Sequence, residues 1–130
     1  MKEPGRESEN AFFARLWERV PEFQRTAAEE TAYFGELIPH LLMADFTRWL
    51  IETYRRGSAG DAVSLEVVDR ALRFLESEFA DDGIPEVQEL IAASFLDNLS
   101  QAGPDRAGIK SHLGPRLLRQ IQWSEGTRPR

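Results

Sequence analysis

Apolar residues wrap almost completely around one segment of this chain. After Pro85 come Val87, Leu90, Ile91, Ala92, Ala93, Phe95, Leu96 and Leu99. Past Leu90 they leave a helix hardly any face for water, so that helix has to be packed on several sides by the rest of the chain. The chain offers suitable partners. Phe12, Phe13, Leu16, Trp17 and Val20 follow helical spacing after Asn10, a plausible N-cap, and Pro21 ends that run. Residues 22–34 form a second, thinner stripe through Phe23, Ala27, Ala28, Ala32, Tyr33 and Phe34. From Pro39 to Arg56, Leu41, Leu42, Met43, Phe46, Trp49, Leu50, Ile51 and Tyr54 cover a wide face, with Arg55 and Arg56 in the last turn and Gly57 at a C′ position. Ser64 is a candidate N-cap for an amphipathic helix through Leu65, Val68, Leu72, Leu75 and Phe79. Gly103 and Pro104 close the central helix, and Leu117, Leu118 and Ile121 predict a last helix from Pro115 to about Trp123.

No segment alternates with period two between hairpin turns, so no strand is expected. The fold class predicted is all-α: five or six helices in consecutive antiparallel hairpins, closed as a bundle or stacked as a short HEAT-like solenoid. Hydrophobic residues make up 42% of the 130-residue chain, enough for a core of its own. Residues 1–9 are expected to be disordered, 10–123 to form a single helical domain, and 124–130 to be a frayed basic tail.

Composition excludes several classes. With no cysteine there is neither a disulfide framework nor a thiolate metal site. No secretory h-region follows the polar start, and the longest apolar run, Ile38 to Ala44 interrupted by Pro39 and His40, is too short to cross a bilayer. Cytoplasmic residence and no membrane partner are the corresponding expectations. Charge is uneven: residues 1–103 carry ten Lys+Arg against twenty Asp+Glu, whereas residues 104–130 carry six against two. Phosphates repel an acidic body, so nucleic acid is not the expected partner.

Motifs for chemistry are missing. There is no G-x-S-x-G, H-E-x-x-H, Walker-type or dinucleotide-binding glycine pattern. His40 and His112 stand far apart, each in a first helical turn by this reading. A metal site would pair them with carboxylates such as Glu36, Asp45 or Asp97, but Pro39 disrupts a regular helix between Glu36 and His40. Ser111 and His112 are neighbours that do not face each other on a helix, and Ser94, in the apolar helix, is expected to bond its own backbone one turn back. The prediction is a non-enzyme without catalytic residue, metal or cofactor.

One charge feature stands out. From Phe74 to Pro104 there is no Lys or Arg, while Glu76, Glu78, Asp81, Asp82, Glu86, Glu89 and Asp97 fall in that stretch. A solvated face whose first-turn anions suit the helix dipole is one explanation. The other is a negative surface that steers and docks a basic protein, with Glu76, Glu78, Asp81, Asp82, Glu86 and Glu89 as the contact residues. Trp17, Trp49 and Trp123 add to the binding question, since tryptophan serves both cores and hot spots; Trp49 is expected in the core and Trp123 is left open.

Three segments carry a resemblance. Residues 83–99 open Gly83-Ile84-Pro85-Glu86-Val87 and run through the apolar helix; residues 112–118 read His112-Leu113-Gly114-Pro115-Arg116-Leu117-Leu118; the helix from Pro39 to Tyr54 fits with them. Together they resemble a family of small, acidic, uncharacterised bacterial helical proteins, similar in character to the immunity proteins of polymorphic toxin systems. The resemblance implies a helical fold and a cytoplasmic bacterial origin, and it carries no catalytic residue; the missing chemistry, the small acidic body and the charge gap point to an immunity-like inhibitor that docks a basic, toxin-like protein partner. The central helix also resembles a HEAT-type repeat helix in having an acidic turn before a Val-containing run. The alternatives are a structural or regulatory adaptor that self-associates through an apolar helix face, and a small-ligand binder or enzyme, which would need a deep pocket with converging polar groups.

Overall fold

A computed structural model of the chain describes residues 4–23 and 39–127, with side chains over 8–23 and 39–124. Among the described residues there are helices and no strand. α1 is Pro4–Arg19, α2 Pro39–Ser58, α3 Ala62–Glu78 and α4 Pro85–Ile91. α4 continues without a break as a π turn, Ala92–Leu96, and a 3-10 segment, Asp97–Asp105, kinked at Gly103. α5 is Arg106–Lys110 and α6 is Pro115–Thr127. Of the helix expected over residues 22–34, all but Glu22 and Phe23 lies outside the described residues.

The apolar segment is central, as its pattern requires. Val87, Leu90, Ile91, Phe95 and Leu99 are fully buried. α4 and its continuation are packed by α1, α2, α3 and α6, which closes the helices into a bundle rather than a stacked array. α2 and α3, joined by a short turn, form the antiparallel hairpin on which the rest assembles. An aromatic cluster holds its middle. Phe46 meets Phe23 edge-on at 5.1 Å, Trp49 at 5.6 Å and Phe95 at 5.7 Å between ring centroids. Trp49 packs on this core while remaining half-buried.

Several boundaries differ from the sequence expectation. α1 starts at Pro4, inside the stretch read as disordered, so Asn10 is an interior residue and not a cap. Pro4 suits a first turn because its missing N–H has no helical partner there. α6 runs on to Thr127, through most of the stretch read as frayed. α5 was not anticipated; it is a five-residue turn of helix with Ile109 as its buried residue, too short to show a period.

The α2–α3 turn moves by three residues at each end. Gly57 is a buried helical residue, not the C′ position, and a Cβ there would lie 2.7 Å from Leu65 Cδ2. Helix termination falls to Gly60, whose φ of +123° is costly for any residue with a Cβ. Asp61, not Ser64, is the N-cap of α3. Its Oδ1 accepts the backbone N–H of Val63 at 3.2 Å and of Ser64 at 3.4 Å, and the Ser64 hydroxyl donates to Oδ2 at 2.7 Å. These bonds hold the Asp61 carboxyl below its ordinary range, the Ser64 hydroxyl contributing most.

Arg70 on α3 ties down the end of α1. Its guanidinium donates to Glu22 at 2.8 and 3.1 Å, to Glu66 at 2.8 and 3.2 Å, and to the Arg19 carbonyl at 3.1 Å. The hydrogen bonds from Arg70 hold Glu22 below the usual carboxylate range. A depressed folded pKa contributes stability above the unfolded value, and that contribution is lost as pH falls through the folded one. Arg70→Ala is therefore expected to lower the unfolding midpoint slightly at neutral pH, since the network is solvent-screened. The difference from the parent should shrink as pH drops below about 4, the ordinary carboxylate range. A gap that widens on acidification, read by thermal melts across that window, would contradict this account.

Candidate docking surface

The six acidic residues singled out in the charge gap have different fates. Glu78, in the last turn of α3, turns toward α1, where Arg15 donates Nε to Oε2 at 2.9 Å and Nη2 to Oε1 at 2.6 Å. This two-pronged pair leaves 16% of the Glu78 side chain exposed and raises the Arg15 pKa further, the hydrogen bond contributing most. Glu76 turns toward α6. Its carboxylate accepts the backbone N–H of Arg116 at 2.9 Å and of Leu117 at 3.1 Å.

Glu76 therefore caps α6 from a different helix. The first N–H groups of a helix have no partner of their own, and their end of the dipole is positive, so a carboxylate satisfies both needs. Gly114 makes the approach feasible, because a Cβ there would lie 2.5 Å from Glu76 Cδ. The Leu113-Gly114-Pro115 start noted in the sequence thus has a structural cause: Gly114 admits the cap and Pro115 opens the helix.

The other four, Asp81, Asp82, Glu86 and Glu89, are exposed, and among the described residues none of them has an ion-pair partner. They sit on the turn after α3 and on the first turns of α4. The turn is well held. Gln88 Nε2 donates to the Ala80 carbonyl at 2.6 Å, the Gly83 N–H to the same carbonyl at 2.8 Å, and Gln88 N–H to Ile84 O at 3.0 Å. Glu86 lies in the first turn of α4, where the dipole favours an anion.

Beside this turn lies an open groove of about 450 Å³. Phe79 and Asp81 come from the end of α3 and its turn; Arg116, Arg119, Gln120 and Trp123 come from α6. Trp123 is 63% exposed and Ile84, next to the acidic turn, is 39% exposed. Sequence reasoning named Trp123 without placing it, and it did not connect Arg116 and Arg119 with this end of the molecule.

The histidines are elsewhere. His40 is exposed on the first turn of α2, and its Nδ1 is in hydrogen-bond contact with Ser94 Oγ. This corrects the expectation that Ser94 bonds the backbone one turn back. Ser94 lies in the π turn, and its hydroxyl reaches across to α2. Its carbonyl accepts from Asn98 Nδ2 at 2.8 Å and Thr47 Oγ1 at 3.2 Å. No carboxylate among the described residues bonds His40, and Glu36 lies outside them. His112 is not in a helical first turn but in the link between α5 and α6, with Nδ1 2.8 Å from Asp69 Oδ1 and its ring edge-on to Tyr54. No group of three or more His, Asp or Glu among the described residues is arranged to hold a metal ion. No described helix is long and apolar enough to cross a membrane.

No curated protein and no solved structure matches this chain. One family model, described as a domain of unknown function and designated DUF7674, matches residues 13–127, and the chain belongs to that family.

Proposed function

We propose that this chain is a protein-binding domain that docks a basic partner through the exposed carboxylates of Asp81, Asp82, Glu86 and Glu89. The observation that supports it most is the split within the charge gap. Two of its acidic residues, Glu76 and Glu78, are engaged inside the fold, and four stand together in solvent on a pinned turn and the helix start that follows it. A surface of one sign on a rigid support raises the rate of encounter with a partner of the other sign and fixes its approach.

In its most specific form the reading is an immunity-like inhibitor of bacterial origin. The carboxylates would stand in for the phosphates of a nuclease toxin's substrate and cover its cationic site. The small acidic body, the charge gap and the lack of recognisable catalytic motifs motivate this form, and the function needs no catalytic group of its own.

The test has two steps. Capture from the source-cell lysate at low and moderate salt should recover a basic protein that is lost at the higher salt. The association rate of that protein should then fall, and its salt dependence flatten, when Asp82→Lys and Glu86→Lys are combined. Association that is unchanged by the double reversal would refute the acidic surface. The inhibitor form further requires that co-expression of this chain relieve toxicity of the captured protein; a partner with no toxicity removes that form and leaves the docking surface standing.

A further inference from the structure

The groove beside the acidic turn has sides of opposite charge. Asp81 and Phe79 belong to the end of α3 and its turn, and Arg119 and Arg116, the latter with its guanidinium 3.9 Å from Glu76, belong to α6, with the exposed indole of Trp123 on the same side as the arginines. Two sides of opposite charge, each bearing one aromatic ring (Phe79 beside Asp81, Trp123 beside the arginines), are complementary to their own image. Rotation by a half-turn about an axis along the groove brings the positive side of one copy over the negative side of the other, twice, and brings Trp123 of each toward Phe79 of the other. This is the condition for an isologous contact.

We propose that two copies of this chain pair through this groove, with Trp123 of each seated against Phe79 of the other and Arg119 of each opposite Asp81 of its mate. A second copy, which carries both signs, fits better than the chain's own tail, whose Arg128 and Arg130 carry only positive charge. Within the groove itself, as distinct from the face formed by Asp82, Glu86 and Glu89, it also fits better than a purely basic or purely acidic partner, either of which would meet one side of its own sign. The pairing does not rest on the acidic-surface reading, from which it borrows only Asp81.

Sedimentation equilibrium of the full chain over a wide concentration range tests the pairing. The parent chain should show a monomer–dimer equilibrium, and Trp123→Ala should weaken it by roughly tenfold or more, as a buried aromatic anchor would. The charge arrangement has its own signature. Asp81→Arg and Arg119→Asp should each weaken dimerisation, since like charges then face each other in both places. An equimolar mixture of the two variants should recover it as a heterodimer, because both facing pairs are then of opposite sign. All three positions are at the surface, and circular dichroism of each variant checks that the helices are intact. A chain that stays monomeric at the highest concentration, a dimer indifferent to Trp123→Ala, or variants that fail to recover on mixing would each overturn the proposal.

Discussion

Phe46→Ala is expected to lower the stability of this protein by about 3–5 kcal/mol, the usual cost of deleting a large aromatic from a packed core. Phe46 has no exposed surface and joins three rings from three parts of the chain: Phe23 before α2, Trp49 within it and Phe95 in the π turn. Truncation removes apolar burial and leaves a cavity whose walls belong to different elements, so no single side chain can collapse to fill it. A domain of this size is stable by only about 5–15 kcal/mol, so the loss is a large share of the total. Urea denaturation should show a lower midpoint with an unchanged slope. Phe46→Leu, which keeps much of the volume, should cost clearly less. Equal midpoints for the Ala variant and the parent would mean that the aromatic cluster does not bind α2 to the central helix.

Glu76→Ala is expected to cost about 1–3 kcal/mol, the combined loss of a helix cap and of a charge-assisted acceptor for backbone donors. The effect should be local as well as global. The Arg116 and Leu117 amides, which the carboxylate accepts at 2.9 and 3.1 Å, should lose hydrogen-exchange protection before the amides of α2 and α3. Glu76→Gln keeps one carbonyl oxygen and should recover part of the loss. Fraying of α6 would also disturb the groove, because Arg116, Arg119, Gln120 and Trp123 all ride on that helix. Protection of Arg116 and Leu117 that survives Glu76→Ala would show that α6 needs no cap from α3.

The acidic surface illustrates why linear charge patterns mislead. The interval from Phe74 to Pro104 lacks cations in sequence but not in space. Arg15 arrives from 63 positions before Glu78, and the Arg116 guanidinium, 3.9 Å from Glu76, from 40 positions after it. Spacing along the chain constrains neighbours within a helix, where three or four residues make one turn. It says nothing about which distant helix packs alongside. The same reason hid the contact of His40 with Ser94, and the capping of α6 by a residue of α3.

What the sequence by itself determined is the part of this protein governed by local periodicity. The helical class, the amphipathic faces of α2 and α3, and the central position of α4 and its continuation all follow from where Phe46, Leu72, Leu90 and Phe95 recur, because a 3.6-residue period and the cost of wetting apolar surface act along the chain. Tertiary structure alone decided the rest. It placed Gly57 against Leu65 and left the turn to Gly60, since helix ends depend on which neighbour comes close as well as on propensity. It engaged Glu76 and Glu78 inside the fold, left Asp81, Asp82, Glu86 and Glu89 in water, and set Trp123 across a groove from Asp81. Each of these depends on contacts between residues far apart in sequence, which exist only once the helices have packed.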